Sequence, residues 1–306
     1  GQNPRLDDRP VAQHMLDLRQ PDAVRDALAS ARPDLLFHLA ALADVGASFK
    51  DPWHTLENNI IAQINVLEAV RMLRLPTRIL IVSSAEIYGS AGKDGQPIDE
   101  HTPFQPASPY SVSKVTQDML GLQYFLAYNL PIVRVRPFNH IGPSQRGGFV
   151  AADFASQIAL AEAGQREPVI DVGNLSAERD FTDVRDVVRA YYLLATQGEP
   201  GEAYNVCSGR AYSIQYLLDT LLSYSRLSIQ VRQDPAVTVG CRINDGELAG
   251  ALAAPPGLKK RDLFMILRAF ITGRSDGPPL RDVFPLVPVE VITGRIDAYL
   301  EHRHEG

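Results

Sequence analysis

Tyr110-Ser111-Val112-Ser113-Lys114 sets a phenol and an ammonium four residues apart. On a helix that spacing places both side chains on one face. A cation beside a phenol favours the phenolate, lowering a pKa that starts near ~10. Such a pair can exchange a proton with an alcohol or a ketone. The same spacing is common on solvated helix faces, so taken alone it leaves both readings open. Ser83 and Ser84 follow the aliphatic run Ile79-Leu80-Ile81-Val82. Hydroxyls at the carboxyl end of a buried parallel strand sit where open α/β sheets bind ligands, although serines there also serve simply to close a turn. Strand, serines and Tyr-Lys pair occur in that order, which favours Ser84 as a second donor to the oxygen that Tyr110 protonates.

These groups need a sheet and a helix to hold them. Short apolar runs alternate with longer amphipathic ones over the first two-thirds of the chain, the signature of βαβ units and a parallel sheet. Helices are expected over 22–31, 59–73, 111–128, 151–163, 183–196 and 213–223. Strands are expected over 35–39, 79–82, 132–135 and 203–206. Pro137 is expected to end regular structure, and 138–173 reads as loops around one helix. Beyond Pro235 the pattern weakens. Helices are expected at 261–271 and 289–301, and 237–288 is the least readable part.

The 306 residues carry a net charge of −6, which disfavours nucleic-acid and anionic-membrane partners by repulsion. No apolar run approaches the ~20 residues of a membrane span, and the polar start does not read as a secretory signal. Cys207 and Cys241 are too few for a disulfide framework or a metal site, so a cytoplasmic protein with reduced thiols is expected. Asp180, Asp183 and Asp186 have no accompanying histidine pattern that would suggest a metal. Trp53 is expected to pack at the start of the long helix, and Cys207 to be a small core residue.

The run of motifs resembles the extended short-chain dehydrogenase/reductase family, and within it the GDP-mannose 4,6-dehydratase and GDP-4-keto-6-deoxymannose reductase group. The likeness runs from about His14 to Ala236. It implies a Rossmann-like doubly wound parallel α/β sheet with a smaller C-terminal substrate region. Residues 1–136 with 180–206 would bind NADP or NAD, and 137–179 with 207–306 the sugar nucleotide. Ser84, Tyr110 and Lys114 fall on the family's catalytic positions. Asp17-Leu18, His38-Leu39-Ala40-Ala41, Asn59, Ser83 and Pro137 match segments that lie along the cofactor. Asn139, Phe149, Val150 and Arg179 match substrate positions, Arg179 as a guanidinium for the pyrophosphate; its bland alternative is an ion pair with Asp180 or Asp183. His140 lies in the same segment.

The stretch Arg179-Asp180-Phe181-Thr182-Asp183 resembles the reductase. Glu86 occupies the place of the base that a dehydratase uses, and related reductases carry it too. The resemblance therefore implies reduction of a GDP-linked 4-keto-6-deoxyhexose at C4, in a homodimer built on helices 59–73 and 111–128. A 4,6-dehydratase using Glu86 is the first alternative, and a non-catalytic sugar-nucleotide binder the second. The second rests on a departure from the family pattern. Gly1 is the only glycine before Gly46, so the usual glycine-rich phosphate loop, with the first β-α-β around it, is not found ahead of Asp17-Leu18. Gly89–Gly95 has glycine spacing but leads into no helix, and reads as a loop over the substrate cleft. After Asp234-Pro235 an Arg-Pro-x-acid segment is expected and not found; Arg242 is the nearest arginine.

Overall fold

The computed structural model describes residues 12–92, 96–143, 145 and 147–233. In chain order the elements are α1 (Pro21–Ala31), β1 (Leu35–His38), α2 (Val45–Lys50), α3 (Pro52–Met72), β2 (Arg78–Val82), a 3-10 turn at Ala85–Tyr88, α4 (Pro109–Tyr128) and β3 (Ile132–Pro137). There follow β4 (Asn139–Ile141), α5 (Val150–Glu162), β5 (Val169–Val172), β6 (Glu178–Asp183), α6 (Val184–Gln197), β7 (Ala203–Val206), β8 (Ala211–Ser213), α7 (Ile214–Ser223) and β9 (Gln230–Gln233). The described residues divide into two compact units. One holds the residues up to Val135 together with Leu194–Tyr204; the other holds Arg136–Leu193 and the residues from Asn205.

In the first unit a four-stranded sheet runs β1-β2-β3-β7. β1 pairs with β2 and β2 with β3, both in parallel. The central strand β2 is aliphatic because both its faces are covered: Ile79, Leu80 and Ile81 are fully buried. Leu67, Val70, Tyr124 and Ile132 pack on Ile79 and Ile81. Gly121 lets α4 settle onto β2, since a Cβ there would lie 2.8 Å from Ile81 Cδ1.

The starts of α3 and α4 are set by side-chain caps. Ser108 and Ser111 form a reciprocal capping box that brackets Tyr110, so α4 begins at Pro109. The Asp51 carboxylate accepts from the His54 amide and Pro52 occupies the first turn, so α3 begins well before residue 59. That first stretch, Trp53 to Asn58, lacks an apolar stripe, which hides it from periodicity. Trp53 is 76% exposed and does not pack into the core.

In the second unit β4 pairs in parallel with β6, β6 antiparallel with β8, and β5 in parallel with β9. The loop expected over 138–173 thus contains two strands, and residues 180–193 join this unit through β6. These strands have only three to six residues, and β6 opens with charged Glu178, Arg179 and Asp180, so neither length nor alternation marks them. The core gathers Phe154, Ile158, Ile170, Phe181, Ile214, Leu217 and Leu218. Cys207 is half-buried rather than a core residue. The expected helices beyond 260, the stretch 237–288, Cys241 and Arg242 lie outside the described residues.

Candidate active site

β2 delivers Ser83 and Ser84 at its carboxyl end, and α4 delivers Tyr110 and Lys114 from its first two turns. All four side chains are buried. The Ser84 hydroxyl faces the Tyr110 phenol closely enough to act on it as a hydrogen-bond donor. The Glu86 amide donates to Ser84 Oγ at 3.2 Å, which leaves the serine's own hydrogen free to donate onward. Lys114 Nζ donates to the Val82 carbonyl at 2.9 Å and lies 5.9 Å from the centre of the Tyr110 ring. Ser83 Oγ donates to the Lys114 carbonyl at 3.2 Å, tying strand end to helix.

Burial dominates the electrostatics. It pushes the Tyr110 phenol up to about 12; the Ser84 hydrogen bond works against this, and the Glu86 carboxylate adds to it. The Tyr-Lys spacing predicts a lowered pKa, whereas the buried phenol shifts up, with desolvation as the main cause. The phenol therefore holds its proton at neutral pH and is set up as an acid. Burial also pulls the Lys114 ammonium down to about 8.

The backbone around Ser84 is held tightly. Gly89 follows the 3-10 turn with φ +61°, and a Cβ there would meet the Gln105 carbonyl oxygen at 1.9 Å. The Gln105 amide in turn donates to the Ile87 carbonyl at 2.9 Å. Gly89 is thus a close backbone approach, although the sequence suggests only a flexible loop; residues 93–95 lie outside the described set.

Asn59 is buried, and its amide is fully committed. Oδ1 accepts from the Leu42 amide at 2.7 Å, while Nδ2 donates to the Leu42 carbonyl at 3.1 Å and to Ser113 Oγ at 2.9 Å. It braces the loop of Leu39, Ala40 and Ala41 against α4 rather than reaching into that loop's open side. Leu39 and Ala40 are exposed beyond the end of β1. Asp17 is held by Arg19, and the Leu18 carbonyl accepts from Asn65 Nδ2 at 2.9 Å.

Sequence reading misses a buried polar layer between α3 and α4. Gln63 Nε2 donates to the Gln117 carbonyl at 2.7 Å, and Gln117 Nε2 donates to the Asn59 carbonyl at 2.9 Å. Its only signal is polar residues on otherwise apolar helix faces.

The remaining candidates lie in the second unit. Asn139 is exposed on β4, Pro137 ends β3, and half-exposed Phe149 precedes Val150 at the start of α5. His140 Nδ1 is 3.1 Å from the Phe138 carbonyl oxygen. Arg179 is exposed on β6 and donates to the Glu178 carbonyl. The ion pairs suggested for it do not form. Asp180 accepts from the Ser208 amide and hydroxyl and from the Gly209 amide, and Asp183 pairs with Arg185. Among the described residues no cluster of three metal-ligating side chains occurs, and no helix is long and apolar enough to cross a membrane.

A family model described as GDP-mannose 4,6 dehydratase matches residues 2–246. The chain is 38% identical over 223 residues to the GDP-6-deoxy-D-mannose reductase of Pseudomonas aeruginosa, covering 73% of each. It is 29% identical over 220 residues to the GDP-mannose 4,6-dehydratase of Vibrio cholerae, covering 71% of this chain and 58% of that protein, less than two thirds of its length. Among solved structures, RMD from Pseudomonas aeruginosa complexed with NADPH aligns with a TM-score of 0.71 at 35% identity, covering 84% of this chain and 87% of that one. The UDP-glucose 4-epimerase of Thermus thermophilus in complex with NAD aligns at 0.65 with 25% identity, covering 83% of each. These neighbours share the parallel α/β architecture of the first unit.

Proposed function

Because the chain belongs to the GDP-mannose 4,6-dehydratase family, we propose that it is an NAD(P)-linked reductase of a GDP-4-keto-6-deoxyhexose. The observation that carries this reading is the gathering of buried Ser84, Tyr110 and Lys114 where the end of β2 meets the start of α4, because ketone reduction needs an acid at the carbonyl oxygen. Bound NAD(P)H would supply the hydride to C4. Tyr110 gives its proton to the C4 oxygen as negative charge develops there. Ser84, its oxygen already accepting from the Glu86 amide, donates its own hydrogen to the same atom. Lys114 supplies positive charge beneath the phenol and a donor for the cofactor ribose.

The donor set fits the nicotinamide half of such a cofactor, with exposed Leu39 and Ala40 at the neighbouring strand end and Ser83 bracing Lys114. Asn59 supports that loop from behind. Asp17-Leu18 is assigned to the adenine end by resemblance, and Pro137 to the nicotinamide side. For the sugar nucleotide, Arg179 is assigned to the pyrophosphate, and Asn139, Phe149 and Val150 to the sugar and base. Self-association is assigned to α3 and α4, whose outward residues Ile61, Met72, Val112, Leu126 and Tyr128 are apolar and exposed.

The test is oxidation of NADPH on addition of GDP-4-keto-6-deoxymannose. A GDP-4-keto-6-deoxy product formed from GDP-mannose with no added reductant would overturn the assignment. That outcome belongs to the second reading, a 4,6-dehydratase with Glu86 as base; the Glu86 carboxylate stands near enough to Tyr110 to act on the phenol.

A further inference from the structure

His38 closes β1 and is buried beside α4. Its Nε2 lies 3.5 Å from Gln117 Nε2. The Gln117 amide nitrogen has two hydrogens, and one is given to the Asn59 carbonyl at 2.9 Å. Reversing this amide would set its oxygen against that carbonyl oxygen, so the orientation is fixed, and the second hydrogen is left for His38. An imidazole nitrogen facing an N–H has to be the unprotonated one. The Gln63 bond to the Gln117 backbone holds this turn of α4 in place.

We propose that Gln117 is a positioning residue that holds His38 as a neutral imidazole protonated on Nδ1, so that no second cation forms beside Lys114. The proposal deepens the functional reading above and rests on it for the role of Lys114.

The surroundings agree with this from each side. Lys114 on α4 is the charged neighbour that acts on His38. α3 contributes the neutral Asn59 carbonyl that takes one Gln117 amide hydrogen, and β2 presents Ile81 as the register partner. Burial first, then Lys114, takes the imidazole down to about 4. The same burial already leaves Lys114 with a weakened hold on its proton. A charged His38 would weaken it further, because like charges in a desolvated site each disfavour the other. Glutamine suits the position because its nitrogen can only donate. Glutamate, of the same size, would accept and invite a proton onto the ring.

The test is nitrogen-15 NMR of the imidazoles in the intact protein, with the His38 signals assigned by their loss in His38→Gln. In the wild type His38 is expected to carry its proton on Nδ1 and to show no titration above about pH 5. In Gln117→Glu the midpoint is expected to rise by about two pH units or more. A wild-type His38 that is charged at neutral pH, or protonated on Nε2, overturns the proposal whether or not the variant folds. An unmoved midpoint in a folded Gln117→Glu overturns it as well. NADPH titration of the wild type separates the two levels: failure to bind NADPH sinks the functional reading and leaves the tautomer result standing.

Discussion

Arg134 Nη1 donates to Asp118 Oδ1 at 2.6 Å, and the two side chains are 7% and 0% exposed. The pair joins β3 to the helix that carries Tyr110 and Lys114, one turn beyond the lysine. Arg134 also donates to the Gly201 carbonyl. Removing one member of a buried pair strands the other charge, at a typical cost of about 3–5 kcal/mol, whereas replacing both with apolar side chains of similar volume is often close to neutral. Asp118→Leu and Arg134→Met should therefore each lower the urea midpoint sharply, and the double variant should recover most of the loss.

Lys114 gives activity and stability opposite pH trends. Its native pKa of about 8 lies below the ordinary value of 10.5. Between those values the unfolded chain binds more protons than the native one, so stability rises with pH across the window, by up to about 3 kcal/mol. Turnover should fall over the same range as the cation under the phenol is lost. Urea midpoints between pH 7 and 10 should show the rise in the wild type and not in Lys114→Met, and a parallel pH–rate series should show the fall.

Asp153 should behave in the reverse sense. It is buried on α5, its Oδ1 accepts from the Gly148 amide at 2.8 Å, and burial pushes its pKa up to about 6 from 3.8. Between those values the native state binds more protons, so stability falls as pH rises through the window. Asp153→Asn keeps an acceptor for Gly148 without the buried charge. Its melting temperature should exceed that of the wild type at about pH 8, equivalent to about 1–2 kcal/mol, and the difference should vanish near pH 4.

Gly89 tests how firmly the turn after Ser84 is set. Alanine there would need both a left-handed φ and a carbonyl oxygen moved out of its Cβ. Gly89→Ala is expected to lose at least ~2 kcal/mol of stability and to depress turnover beyond what the stability loss explains. A variant with wild-type melting and turnover would show that the Gln105 approach is not required.

The parts of the fold visible in the sequence are those with strong local chemistry. β2 is legible because three consecutive residues are fully buried and aliphatic, and α7 because Ser213 caps an amphipathic run. β6 is not, because its polarity reflects pairing to β4 and β8, which no local pattern encodes. The site divides in the same way. The order of Ser84, Tyr110 and Lys114 is written in the chain, but the direction of the Tyr110 shift depends on how deeply packing buries the phenol. The Gln63–Gln117 layer and the Arg134–Asp118 pair connect residues far apart in sequence, and spacing cannot announce such partners.

Asn59 ties the loop after β1 to the first two turns of α4. Its one amide grips Leu42 on both backbone groups and Ser113 by its hydroxyl, so neither segment can slide without breaking a bond made by the other. A molecule resting on Leu39 and Ala40 therefore presses, through this link, on the turn between Tyr110 and Lys114. Movement of the strand-end loop and the setting of the helix turn that carries the phenol are thereby linked.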